Sequence, residues 1–142
     1  MIQRIFIDAN IINDIYDASR VDHLSSYQCL EYCLNNNISL ITSCDLVTTI
    51  YYINSKKQGR LPALQALEQI QTMFDIAPFG NYELELAIKL MRQDQDYKDL
   101  EDTIQYILAQ QTKCDLILTN DTKFIAKNIG LVTSKSFLKT YK

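Results

Sequence analysis

Short apolar runs alternate along the chain with longer stretches in which apolar residues recur every three or four positions. Arg4-Ile5-Phe6-Ile7-Asp8 is an apolar run closed by an acid, and it predicts a buried strand. Ile11, Ile12, Ile15 and Tyr16 recur at helical spacing over Asn10–Tyr16, and Leu24–Leu34 predicts a second helix. Ile38–Ile41 predicts a second strand, after which Thr42 or Ser43 is placed to cap a helix carrying Leu46, Val47, Ile50, Tyr51 and Ile53 towards Lys57. Gly59 ends that helix and Pro62 falls in the first turn of the next, whose expected inner face is Leu64, Leu67, Ile70, Met73 and Phe74. Ile76-Ala77 reads as a short edge strand and Tyr82–Met91 as a helix. Asp99–Gln110 reads as a helix with Leu100, Ile104, Ile107 and Leu108 facing inward. Leu116–Thr119 is a further strand, followed by a helical turn through Phe124 and Ile125 and a last short strand at Leu131-Val132.

Strands this short and apolar, alternating with helices, predict an α/β fold: a mainly parallel sheet of four or five short strands, flanked by helices in three layers. Right-handed crossovers follow. The 142 residues fit a single domain, 1–142, and a chain of this length buries a core without disulfide or metal staples. No apolar run approaches the ~18 residues of a membrane span, and the opening MIQRIFID lacks the pattern of a secretory leader. A cytoplasmic location and no membrane association are therefore expected.

Composition narrows the chemistry. Cys29, Cys33, Cys44 and Cys114 form no CxxC pair, and His23 is the one histidine. A Cys/His zinc site is thereby disfavoured, so any metal has to be held by carboxylates, which select hard cations. The formal net charge of -3 gives no global sign of nucleic acid. Its distribution says more: no acid follows Asp121, whereas Lys123, Lys127, Lys135, Lys139 and Lys142 do, and Lys56, Lys57 and Arg60 form a second basic group. Such groups can meet phosphate, and equally can be an ordinary solvated surface.

The acids are placed more tellingly. In an open parallel sheet the ligand crevice lies beyond the carboxyl ends of the strands. Asp8 ends the first strand and Asp121 lies just past the Leu116 strand, so neighbouring strands would deliver both to one sheet edge. Asp99, Glu101 and Asp102 stand at a helix start, with Asp99 and Asp102 on one face. Each also has a plainer reading. Asp8 and Asp121 can cap the turns that follow them, and Asp99 is better read as an N-cap than as a ligand. As a set, clustered carboxylates repel one another unless a cation lies between them, which suggests a metal.

Three segments resemble a known family: Ile5-Phe6-Ile7-Asp8-Ala9-Asn10, Asp99-Leu100-Glu101-Asp102-Thr103-Ile104-Gln105, and Cys114 through Asp121 followed by Phe124. Their order and separations are similar to those of the PIN domain, the fold of many small ribonucleases, including the VapC toxins of bacterial toxin–antitoxin pairs. The resemblance implies a PIN-like fold and a Mg²⁺ or Mn²⁺ site whose ligands are Asp8, Asp102 and Asp121. It implies Asp99 as an additional acid and Asn10 and Thr119 as polar groups orienting the acids, with Asn120 at a variable position. One departure stands out. The acid that the family carries on the helix after the second strand falls here on Thr49, while Asp45 lies one turn earlier. Either the site works with fewer acids, with Asp99 supplementing it, or catalysis is weak.

What the resemblance implies in function is hydrolysis of RNA phosphodiester bonds, with an antitoxin protein as partner or pairing of the chain into a homodimer. The apolar helices around Tyr51-Tyr52-Ile53 and Leu64–Phe74 could serve such contacts, although core packing explains them equally well. A second reading is a catalytically weakened module that binds RNA or a protein without cleaving. A third, a phospho-acceptor receiver domain, lacks its acids: Ala9 follows Asp8, and Ile41-Thr42-Ser43 offers no mid-chain Asp.

Overall fold

A computed structural model describes residues 1–142. In chain order the elements are β1 (Arg4–Ile7), α1 (Ala9–Ile15), α2 (His23–Asn35), β2 (Ser39–Ser43), α3 (Cys44–Gln58), α4 (Arg60–Met73) and β3 (Phe74–Ala77). They continue as α5 (Asn81–Gln93), α6 (Leu100–Gln111), β4 (Leu116–Leu118), β5 (Gly130–Val132) and α7 (Ser134–Tyr141). The five strands form one sheet in the order β3-β2-β1-β4-β5, every pair parallel. The architecture is thus the expected α/β fold, with five strands rather than four and no antiparallel edge.

The central strands are apolar on both faces because both faces are covered. Ile5, Phe6 and Ile7 of β1 and Ile117 and Leu118 of β4 have no exposed surface. α6 packs across β1, β2 and β4 with α5 beside it, while α2 packs against both α1 and α7. Cys29 and Cys33, one turn apart on α2, are buried free thiols. Gly59, between α3 and α4, adopts φ 94°, a conformation that side-chain-bearing residues rarely take, so a glycine ends one helix and admits the next.

Two local expectations need correction, at α4 and at the C-terminal end. α4 buries Ala63, Ala66 and Ile70, leaving Leu64, Leu67 and Met73 half-covered. Small side chains on that face let α3 and α4 approach closely, a gain invisible when leucines are scored as the more hydrophobic residues. The segment through Phe124 and Ile125 is the expected turn, closed by the Phe124 amide donating to the Asp121 carbonyl at 3.2 Å. Finally, the lysine-rich end contains α7, whose start is capped by the Thr133 hydroxyl and whose Phe137 is wholly buried.

Candidate metal centre

β1 and β4 end side by side, with Ile7 opposite Leu118. The Asp8 amide carries the pairing one step further, donating to the Leu118 carbonyl at 3.1 Å. Strand order reverses here: the chain builds from β1 outward through β2 to β3, then crosses back to β4 and β5. Such a reversal leaves a crevice beyond the strand carboxyl ends.

Asp8 lies at the floor of this crevice, 6% exposed. Its Oδ1 accepts from the Ala9 amide at 2.7 Å and caps α1. Its Oδ2 accepts from the Thr119 hydroxyl at 2.8 Å and the Asn10 side-chain amide at 3.0 Å. Capping does not exhaust the carboxylate, since each oxygen offers two lone pairs. Asp99 is the N-cap of α6, its Oδ1 accepting from the Asp102 amide at 2.9 Å. Asp121 is exposed; its Oδ1 accepts from the Lys123 amide at 2.9 Å, and its own amide donates to the Thr119 hydroxyl at 3.1 Å. Asp102 is half-buried and receives only a long contact, 3.5 Å, from the Gln105 side chain.

Asp99, Asp102 and Asp121 line one cleft of about 460 Å³ together with Asp96, Tyr97, Lys98, Thr103, Lys123 and Ile125. The electrostatics tie Asp8 to it. Burial pushes the Asp102 carboxyl up to about 7, and the charges of Asp99, Asp8, Asp121 and Glu101 add to the shift. Burial also raises Asp8, against the opposing hydrogen bonds of Thr119, Ala9 and Gln105, with the Asp121 charge adding. Glu101 is raised by burial and by Asp45, Asp8 and Asp99. As they stand, no three of these acids are drawn in closely enough to ligate one ion. Like charges in a partly buried cleft stand off from one another, and a divalent cation is what relieves them. The donors are all oxygens, the set that suits Mg²⁺ or Mn²⁺.

Thr49 is half-buried on α3, makes no side-chain hydrogen bond and does not border the cleft. The acid nearest its role is Asp45, held by a hydrogen bond from Ser43 and close enough to raise Glu101. The basic groups are also redistributed. Lys127 pairs with Asp94 and Asp96, Lys135 with Asp22, and Lys57 with Asp17. Lys98 and Lys123 border the acids and form no ion pair, and Lys98 lay outside both basic groups seen in the sequence.

Sequence reading also passed over Asn120, which joins five groups. Its side-chain amide donates to Asp14 Oδ2 and Ser26 Oγ, both at 3.2 Å, and its backbone amide to Asn10 Oδ1 at 3.2 Å. Its Oδ1 accepts from the Ser134 amide at 2.9 Å and hydroxyl at 3.1 Å. Buried Asp14 is further held by Arg20 and Ser26, each at 2.7 Å. The only local signal was an Asn placed between the strand-end Thr119 and Asp121.

A model of the PIN domain family matches residues 4–123. The chain is 42% identical over 139 residues to Ribonuclease VapC1 of Aquifex aeolicus (strain VF5), covering 98% of this chain and 96% of that protein. Among solved structures, VapBC2 from Rickettsia felis bound to a DNA fragment from its promoter superposes with a TM-score of 0.72 at 18% identity, covering 92% of this chain and 98% of that one. A toxin–antitoxin complex from Klebsiella pneumoniae superposes at 0.69 and 21% identity, over 91% and 96%. At those identities the structural likeness shows the fold alone.

Proposed function

The chain belongs to the PIN domain family, and from that premise we propose that it is a metal-dependent ribonuclease, a toxin of the VapC type that hydrolyses RNA phosphodiester bonds. The observation that supports this reading most is the cleft lined by Asp99, Asp102 and Asp121, at the sheet edge where β1 runs into Asp8 beside the end of β4. Identity of 42% along nearly the whole chain to a protein named a ribonuclease supports it.

In this reading Asp8, Asp102 and Asp121 hold Mg²⁺ or Mn²⁺, directly or through water, with Asp99 at the rim. Such an ion lowers the pKa of bound water and stabilises charge on the phosphate. The protein's own groups do the rest. Thr119 and Asn10 fix the Asp8 carboxylate, as partners behind a ligand commonly do. Lys98 and Lys123, exposed and uncommitted, are placed to meet phosphates of the RNA strand on the cleft wall. Purified protein is expected to cleave RNA in Mg²⁺ or Mn²⁺ and to stop in chelator. RNA binding without cleavage at any metal concentration would favour the alternative of a binding module.

The raised Asp102 carboxyl gives a pH dependence. Metal needs the ionised form, so below about pH 7 protons compete and apparent Mn²⁺ affinity falls roughly tenfold per unit. The folded protein binds this proton more tightly than the unfolded chain, whose value is 3.8. Asp102 therefore stabilises the metal-free fold most below about pH 4, and that contribution is lost as pH rises to about 7. Asp8 and Glu101 act in the same direction, whereas Asp94 and Asp115, held low by their hydrogen bonds, act below that window. Melting temperature in chelator should decline from pH 4 to 7, and Mg²⁺ should reverse the decline at pH 7. A profile that rises across this range in chelator would contradict the burial of charge described above.

The likeness to toxin–antitoxin structures supports an antitoxin as the partner. The apolar groove of about 480 Å³ between α1, α2 and α4, lined by Ile15, Tyr16, Tyr27, Leu30, Leu34 and Met73 among others, suits a partner helix. A homodimer would use other exposed apolar groups, such as Leu84 and Ile88 on α5. No helix is long and apolar enough to cross a membrane.

A further inference from the structure

Gln105 lies on α6, three residues after Asp102 and so on the same helical face, and has no exposed surface. Residues 103 to 109 of this helix are all buried, and Gln105 is the anomaly among them. The Thr103 hydroxyl donates to the Asp99 carbonyl at 2.7 Å, and the Tyr106 hydroxyl accepts from Gln110 at 3.0 Å. The rest are apolar. The Gln105 Oε1 has no hydrogen-bond partner, the one such buried side-chain atom in the chain. An unpaired buried carbonyl is expensive, and an apolar side chain of the same length would avoid that cost. Packing therefore gives no reason for glutamine here.

The reason lies at the other end of the amide. Nε2 points to Asp102 Oδ1 at 3.5 Å, the outer limit of a hydrogen bond, and the same side chain lies near enough to the Asp8 carboxyl to oppose its rise. These two acids come from different elements, Asp8 from the end of β1 and Asp102 from the first turn of α6. Carboxylates only accept when ionised, so the amide must turn its N–H₂ towards them and its carbonyl away, into apolar surroundings. The orphaned oxygen is the consequence of that orientation. A lysine or arginine could also bridge the acids, but its charge would compete with a cation. A neutral amide orients both carboxylates and leaves their charge intact.

We propose that Gln105 is a positioning residue that spans Asp8 and Asp102 and sets their carboxylates for a shared divalent cation. This rests on the metal-dependent reading above. Gln105→Met keeps length and removes both the donor and the orphaned acceptor. In chelator the variant should melt at or above the wild-type temperature. Its Mn²⁺ affinity by calorimetry should fall about tenfold or more, the loss typical when a group behind a ligand is removed. Cleavage should fall in kcat with KM for RNA little changed. Equal Mn²⁺ affinity in variant and wild type overturns the proposal, and so does a variant that loses chelator stability while its Mn²⁺ affinity holds, since that is packing alone. Absence of Mn²⁺ binding by the wild type would instead sink the metal reading itself. Should the variant not fold, the wild type decides: in a Mg²⁺ titration followed by NMR, the Gln105 side-chain N–H₂ signals should shift with the same midpoint as the Asp102 backbone amide. Signals that stay fixed while Asp102 moves overturn the assignment.

Discussion

Asp102→Asn should abolish most cleavage and yet make the metal-free protein more stable. The wild-type carboxylate sits half-buried among the charges of Asp99, Asp8, Asp121 and Glu101, and its only side-chain hydrogen bond is long. Asparagine keeps the shape and removes one charge from that group. At pH 8 in chelator the gain should be about 1–2 kcal/mol, kept small because solvent screens a half-exposed group. That corresponds to a few degrees in melting temperature for a chain of this size. Near pH 4 and below the gain should largely vanish, since Asp102 is then protonated in the folded and the unfolded wild type alike. The same change removes a carboxylate donor to the cation, and cleavage should fall by a factor of about 10²–10³, as loss of transition-state charge stabilisation commonly gives. Melting curves at both pH values and RNA cleavage rates test the two halves separately. A variant less stable than wild type at pH 8 in chelator would show that the acids do not repel one another as described.

Phe137→Ala should destabilise the fold severely. Phe137 is wholly buried, packs edge-on to Tyr32 at 5.7 Å between ring centroids, and lies 4.7 Å from the Tyr141 ring. Truncating a buried phenylalanine costs about 3–5 kcal/mol, a large share of the ~5–15 kcal/mol that holds a typical domain together. A fall in melting temperature on the order of 10 °C is expected. Leu138→Ala, at a half-buried neighbour, should cost distinctly less. Equal losses at the two positions would mean that α7 docks differently.

These two residues also mark where sequence reading succeeds and where it fails. That Asp102 and Asp121 share a cleft was legible because an acid at a helix start and an acid at a strand end are local patterns, and topology alone sends them to one edge. β1 and β4 announced themselves as apolar runs because a strand covered on both faces has no polar positions to hide it. α7 was hidden for the opposite reason. Ser134-Lys135-Ser136-Phe137-Leu138-Lys139 shows two adjacent apolar residues in a basic stretch, and a helix of eight residues has too few turns to display a period. Asn120 was unreadable because its partners Ser26, Asp14 and Asn10 lie 94, 106 and 110 residues away. Gln105 stands in a sequence position where glutamine is an ordinary helix former. Only its burial and its unpaired oxygen single it out.

The parallel pairing of β1 with β4 has a bearing on how this protein comes into being. The bond from Thr119 to Asp8 closes across 111 residues. β1 can pair with β2 once the first third of the chain is made, but its other edge waits for β4. Contacts this distant in sequence form late, after the local helices have ordered. A chain still emerging from the ribosome thus holds Asp8 on a half-built sheet, with Asp121 not yet delivered beside it. The acid edge stays incomplete until β4 is in place, so on the proposed reading a chain ended before β4 should not cleave RNA.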